Sequence, residues 1–138
     1  MGKRRKAREV VLQALYESEF SDKPWTEILD GQTKDRASTP ETIEYAQTLL
    51  AKVRETVADL DEKIRSCLDN WELERISLID KNILRFALAE MLFFREVPAK
   101  VIIDEAIEIA HKYSSREAGS FVNGVLDRFA HEYRRDEI

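Results

Sequence analysis

The sequence predicts an all-α fold, and three observations carry that prediction. Every strong hydrophobic periodicity in the 138 residues is helical. There are only four Gly and three Pro, too few to punctuate a chain of many short strands. The one apolar triplet that reads as a strand, Val101–Ile103, has no second strand to pair with.

The first helix spans about Arg5 to Phe20, where Ala7, Val10, Val11, Ala14, Leu15 and Ser18 fall on one face at 100° per residue. "SDKPW" breaks it, and Pro24 opens a short second helix to about Asp30. The polar, Gly-containing "DGQTKDRAS" reads as a loop and as the best candidate for disorder. Thr39 at the N-cap and Pro40 at N1 then start a long helix. In it Ile43, Ala46, Leu50, Val53, Val57, Leu60, Ile64 and Cys67 alternate spacings of three and four, a seam that packs lengthwise on its neighbours. Asp59 and Asp61 are the places where it would bend.

Ser77 and Asp80 form a Ser-x-x-Asp start. The segment after it, "LIDKNILRFALAEMLFF", is apolar on most sides, as a helix at the centre of a bundle must be. Pro98 ends the following turn. "KVIIDEAIEIAHKY" gives another helix with Ile103, Ala106, Ile107 and Ala110 inward. The last helix runs from Ser115 to about Tyr133, with Ala118, Val122, Val125 and Phe129 on one face. The total is six or seven helices.

A chain of this length buries enough surface to fold without disulfides or metal. With a single cysteine, Cys67, it forms no intrachain disulfide, which fits a reducing compartment. No apolar stretch approaches the roughly 18 residues of a membrane span. No signal-peptide pattern follows the basic start. Catalysis finds little support. His111 and His131 lie on different helices, no zinc-ligand spacing occurs, and neither a nucleophile elbow nor a phosphate-cradling Gly-rich loop is present. The carboxylates read as solvated helix faces, and Cys67 as a small buried apolar residue on the seam.

Charge is unevenly placed. "KRRKAR", Lys3 to Arg8, puts five cations in six positions of a chain whose net charge is -5. Taking those five from the 22 Lys and Arg leaves 17 against 27 Asp and Glu, so the remainder carries -10. A solvated tail, a membrane-surface helix and a nucleic-acid contact are the three readings of the cluster. Geometry favours the third. With the core face centred on Ala7, Val11 and Ala14, the opposite face carries Arg5, Arg8, Leu12 and Tyr16, while Lys3 and Lys6 only add to the field. Guanidinium groups that hold phosphates, with an aromatic ring further along, suit single-stranded nucleic acid. A second stretch, "GSFVNGVLD", sets Gly119, Asn123 and Gly124 inside a helical pattern. Gly124 reads as a close helix approach, Asn123 as a donor to buried backbone, and Phe121 as partly exposed.

"RRKAREVVLQALY", "DKNILRFALAEML", "PAKVIIDEAIEIAHKY" and "FVNGVLDRFA", in that order over nearly the whole chain, resemble the transcription antitermination factor NusB family. The resemblance implies one all-helical RNA-binding domain of two small packed helical bundles, about residues 1–72 and 73–138. It implies a cytoplasmic, non-catalytic adaptor without cofactor. Such an adaptor binds boxA RNA together with NusE, a small-subunit ribosomal protein, and joins elongating RNA polymerase in ribosomal RNA transcription. The same domain also occurs fused ahead of an RNA cytosine methyltransferase, and the free-standing factor is the better match. Positions matching the family's RNA contacts are Arg4, Arg5, Arg8, Tyr16, Glu117 and Phe121. Ser120 stands where the family often has Lys. Glu74 and Asp80 match acidic positions toward NusE, although capping of a helix explains Asp80 nearly as well. The competing reading is a helical protein–protein adaptor without specific RNA binding.

Overall fold

The computed structural model describes residues 2–68 and 72–138. These form six α-helices: α1 (Gly2–Ser18), α2 (Trp25–Asp35), α3 (Pro40–Ser66), α4 (Leu78–Phe93), α5 (Ala99–Tyr113) and α6 (Arg116–Tyr133). Short 3-10 turns at Leu73–Arg75 and Arg135–Glu137 complete them, and no strand occurs among the described residues. The all-α expectation is met, and Val101–Ile103 is helical.

The helix starts follow local chemistry. The Thr39 hydroxyl accepts from the Thr42 amide at 3.2 Å, Ser77 from Asp80 at 3.2 Å and Ser115 from Ala118 at 3.0 Å. Each satisfies an amide that the helix itself leaves unpaired. At the other end of α4, the fully buried Arg134 guanidinium donates to the carbonyl oxygens of Met91 (2.9 Å) and Phe94 (3.2 Å), satisfying exposed carbonyls of that terminus.

Helix α4 is the hub. It packs against α1 and α3 on one side and α5 and α6 on the other, and buries Ile83, Leu84, Phe86, Leu88 and Met91. Each such side chain contributes roughly 1.5–3 kcal/mol on burial. Helix α1 is enclosed by α2, α3 and α4, and α5 lies along α6.

Expectations in four of the helices are corrected. Helix α2 runs on through "DGQTKD" to Asp35, because Leu29 and Thr33 share a buried face and Gln32 donates to Glu17 of α1 at 3.1 Å. The chain reverses instead at Ala37, with φ 49°. The seam of α3 buries Ala46, Leu50, Val53, Leu60, Ile64 and Cys67, but Val57 is exposed. The bend is at Thr56 rather than at Asp59 or Asp61: Thr56 has φ -118° and ψ 16°, and its hydroxyl donates back to the Lys52 carbonyl at 2.7 Å. In α5 the inward residues are Ile102, Glu105, Ala106, Ile109 and Ala110, with Ile103 and Ile107 half-exposed. In α6 the tight position is Gly119, where a Cβ would lie 2.1 Å from His111 Nε2. Gly124 faces open space and Asn123 is exposed.

Candidate nucleic-acid interface

Helix α1 has little free surface because three helices cover it. Val10, Val11, Leu12 and Ala14 are all fully buried, and so is nearly all of Arg8, which is 2% exposed. The expected outward face of Arg5, Arg8, Leu12 and Tyr16 is therefore corrected. Leu12 is core, and Arg8 faces the molecule's centre. The accessible stripe is Lys6, Gln13, Tyr16 and Phe20. With Glu9, those within α1 (Lys6, Gln13 and Tyr16) are spaced 3, 4 and 3, within about 80° of the helix circumference, and Phe20 follows just past the helix end. Lys6 thus lies on the stripe that leads to Tyr16. The side chain of Lys3 lies outside the described residues.

Tyr16 is 39% exposed and Phe20 72%. Their rings sit 5.2 Å apart at 57°, a tilted pair at the solvent end of the stripe. This gives flat aromatic surface open to solvent, on which an unpaired base can stack.

The arginines at the start of α1 are organised by buried acids. Arg8 donates from Nε and Nη2 to Glu90 of α4, both at 2.7 Å. The Tyr45 hydroxyl of α3 donates to the same carboxylate at 2.6 Å. Burial, reinforced by the Glu90 charge, pushes the Tyr45 phenol well above its usual range, so it stays a donor. Arg5 donates to Glu105 of α5 through Nε and, at 2.8 Å, through Nη2. The hydrogen bond from Arg5 holds the Glu105 carboxyl below the usual carboxylate range. Arg4 is exposed, with its guanidinium carbon 5.1 Å above the Tyr45 ring. Glu9, Glu90 and Glu105 are thus buried partners of cations and not solvated carboxylates. Their spacing within each helix carries no mark of this, because each partner comes from another helix.

The second region gathers at the start of α6. Glu117 and Ser120 are exposed, and Phe121 is half-buried against the core. Phe121 and Glu117 line a cavity of about 320 Å³ together with Ser77, Asp80 and Arg75, so the starts of α4 and α6 share one concavity. The Asp80 Oδ1 atom there is buried without a hydrogen-bond partner, and Ser77 rather than Asp80 supplies the cap. Glu74 is exposed and accepts from Arg65 at 3.0 Å.

Fold and surface together define a class: a six-helix domain that exposes an aromatic pair, Tyr16 and Phe20, at one end of its first helix and Arg4 at the other. Among the described residues no group of three His, Cys, Asp or Glu side chains is placed to hold a metal ion, and no helix is long and apolar enough to cross a membrane. The chain belongs to the NusB family, whose model matches residues 5–131. It is 43% identical over 128 residues to the transcription antitermination protein NusB of Salinibacter ruber, covering 92% of this chain and 80% of that one. To the NusB of Sorangium cellulosum it is 40% identical over 135 residues, covering 98% and 96%. A solved structure of Thermotoga maritima NusB superposes with a TM-score of 0.86 at 39% identity, covering 94% of this chain and 92% of that one. A complex of the antitermination factors NusB and NusE with double-stranded RNA shares the fold, with a TM-score of 0.87 at 24% identity and 96% and 99% coverage.

Proposed function

We propose that the protein is a transcription antitermination factor. It is a non-catalytic, cytoplasmic adaptor that binds boxA-type RNA together with NusE and joins elongating RNA polymerase, supporting ribosomal RNA transcription. The observation that carries this reading is the surface of α1, which exposes the Tyr16 ring and, about 15 Å nearer its amino-terminal end, Lys6 and the exposed Arg4. The names of the relatives and the NusB–NusE–RNA complex support the same assignment.

In this reading Arg4 and Arg5 neutralise phosphates. Tyr16 and Phe121 stack bases, and Glu117 and Ser120 border the second contact. Arg8 acts from beneath: paired to Glu90, it fixes the helix that carries the others. Glu74 and Asp80 face the basic ribosomal protein.

Titration with boxA-type RNA and with a scrambled RNA, each with and without NusE, tests the proposal. Sequence-dependent binding that tightens with NusE is expected. Binding to NusE with no preference between the RNAs would reject it in favour of a protein–protein adaptor.

A further inference from the structure

Two cations, Arg36 and Lys112, meet on one buried carboxylate beside the accessible stripe of α1, and a third, Lys6, joins them through the Arg36 backbone. Glu9, 7% exposed, accepts from Lys112 Nζ at 3.1 and 3.2 Å, from the Tyr113 hydroxyl at 2.9 Å and from Arg36 Nη1 at 3.3 Å. Arg36 Nη2 also donates to the Tyr113 hydroxyl at 3.4 Å, and Lys6 Nζ donates to the Arg36 carbonyl at 3.3 Å. Lys6 belongs to α1, Arg36 to the turn after α2, and Lys112 to the end of α5.

One carboxylate offsets one charge, so Arg36 and Lys112 on Glu9, with Lys6 held on the Arg36 carbonyl, leave a surplus of about two positive charges. The Lys112 side chain is 58% exposed and that of Arg36 25%, so both are open to a ligand while Glu9 is not. Buried acid below and accessible cations above is a preorganised anion site, because the cations are held together before the ligand arrives.

We propose that Lys112, Arg36 and Lys6 form a phosphodiester-binding site, built on Glu9, that carries the RNA backbone from α1 across to the start of α6. The inference rests on the RNA-binding reading above and adds a site to it. Its place follows from the chain. Glu9 lies on the stripe between Lys6 and Tyr16. Lys112 precedes the two-residue turn into α6, and the adjacent His111 packs on Gly119, one turn into that helix. The exposed face there offers Glu117 and Ser120 but no cation of its own beyond Arg116, so Lys112 supplies charge where the track would otherwise weaken.

The test compares Lys112→Gln and Arg36→Gln with Lys100→Gln, an exposed cation on α5 paired to Asp104, by titrating a single-stranded U- and A-containing RNA over a range of salt. Each cluster variant is expected to weaken binding roughly threefold and to flatten the slope of log affinity against log salt by about 0.7, the value for one lost phosphate contact on a single strand. The weakening should be equal for the scrambled RNA, since phosphates carry no sequence. Lys100→Gln should leave the slope unchanged. If wild type and Tyr16→Ala differ in RNA affinity but the cluster variants match Lys100→Gln, the site is overturned and the RNA-binding reading stands. If the wild-type protein binds no RNA, both fall.

Discussion

Arg8 and Glu90 meet side-on inside the protein, Nε and Nη2 to the two carboxylate oxygens at 2.7 Å each, with both side chains almost wholly removed from water. The pair joins α1 to α4, and Tyr45 adds a bond from α3. Three helices are thereby fixed at one carboxylate. Removing Arg8 leaves that carboxylate buried without its counter-ion, so Arg8→Ala should destabilise the fold by about 3–5 kcal/mol. Urea denaturation measures it, and a loss below about 1 kcal/mol would show that the pair is not closed in solution.

Tyr16 offers its ring to solvent and contributes little to the core. Tyr16→Ala should weaken boxA-type RNA by about 1–3 kcal/mol, the scale of a lost base stack, with little change in thermal stability. Unchanged affinity in the folded variant would remove Tyr16 from the interface.

Gly119 and Gly124 both lie in α6 but in opposite surroundings. Nothing approaches within 4 Å of a Cβ at Gly124, so Gly124→Ala should stabilise by about 0.5–1 kcal/mol through helix propensity alone. At Gly119 the added methyl meets the His111 ring, which must move aside. Gly119→Ala should gain less than Gly124→Ala or lose stability. Calorimetric unfolding of the two variants side by side decides, and the reverse order would refute the packing described.

Glu105 links pH to stability. The Arg5 hydrogen bond lowers its folded-state pKa below the unfolded value, so the ionised pair stabilises the fold at neutral pH. That contribution is present above the unfolded pKa, about 4.3 for Glu, and is lost as pH falls through the lower folded value. Glu105→Gln should therefore reduce stability at pH 7 and make the decline below the carboxylate range shallower. Melting curves across that range provide the measurement, and an unchanged acid slope would exclude the coupling.

Helix spans were legible where a local signal marked them. Thr39–Pro40, Ser77 and Ser115 identify three starts, and each hydroxyl caps its helix. Helix α2 was undervalued because Gly31 and polar neighbours read as loop, whereas its helicity comes from burying Leu29 and Thr33 and from the Gln32–Glu17 contact. Arg134 gave no signal either. A cation near the carboxy-terminal end looks solvated until the chain folds it onto the carbonyls at the end of α4.

By itself the sequence determined the all-helical class, the helix order, the central position of α4 and, through four ordered motifs, the family. These depend on residues near one another in the chain, or on composition. Only the tertiary structure decided which side of α1 is outside. An amphipathic pattern locates one buried face, but α1 is covered by α2, α3 and α4 and is tied to α5 by Arg5–Glu105 and Glu9–Lys112. Arginines opposite the first buried face thus meet acids from other helices, and the cost of burying those charges is offset by pairing. What remains accessible, besides Arg4 and part of Arg5 at the amino-terminal end, is the narrow stripe from Lys6 to Tyr16, set by the arrangement of neighbours that no spacing within α1 encodes.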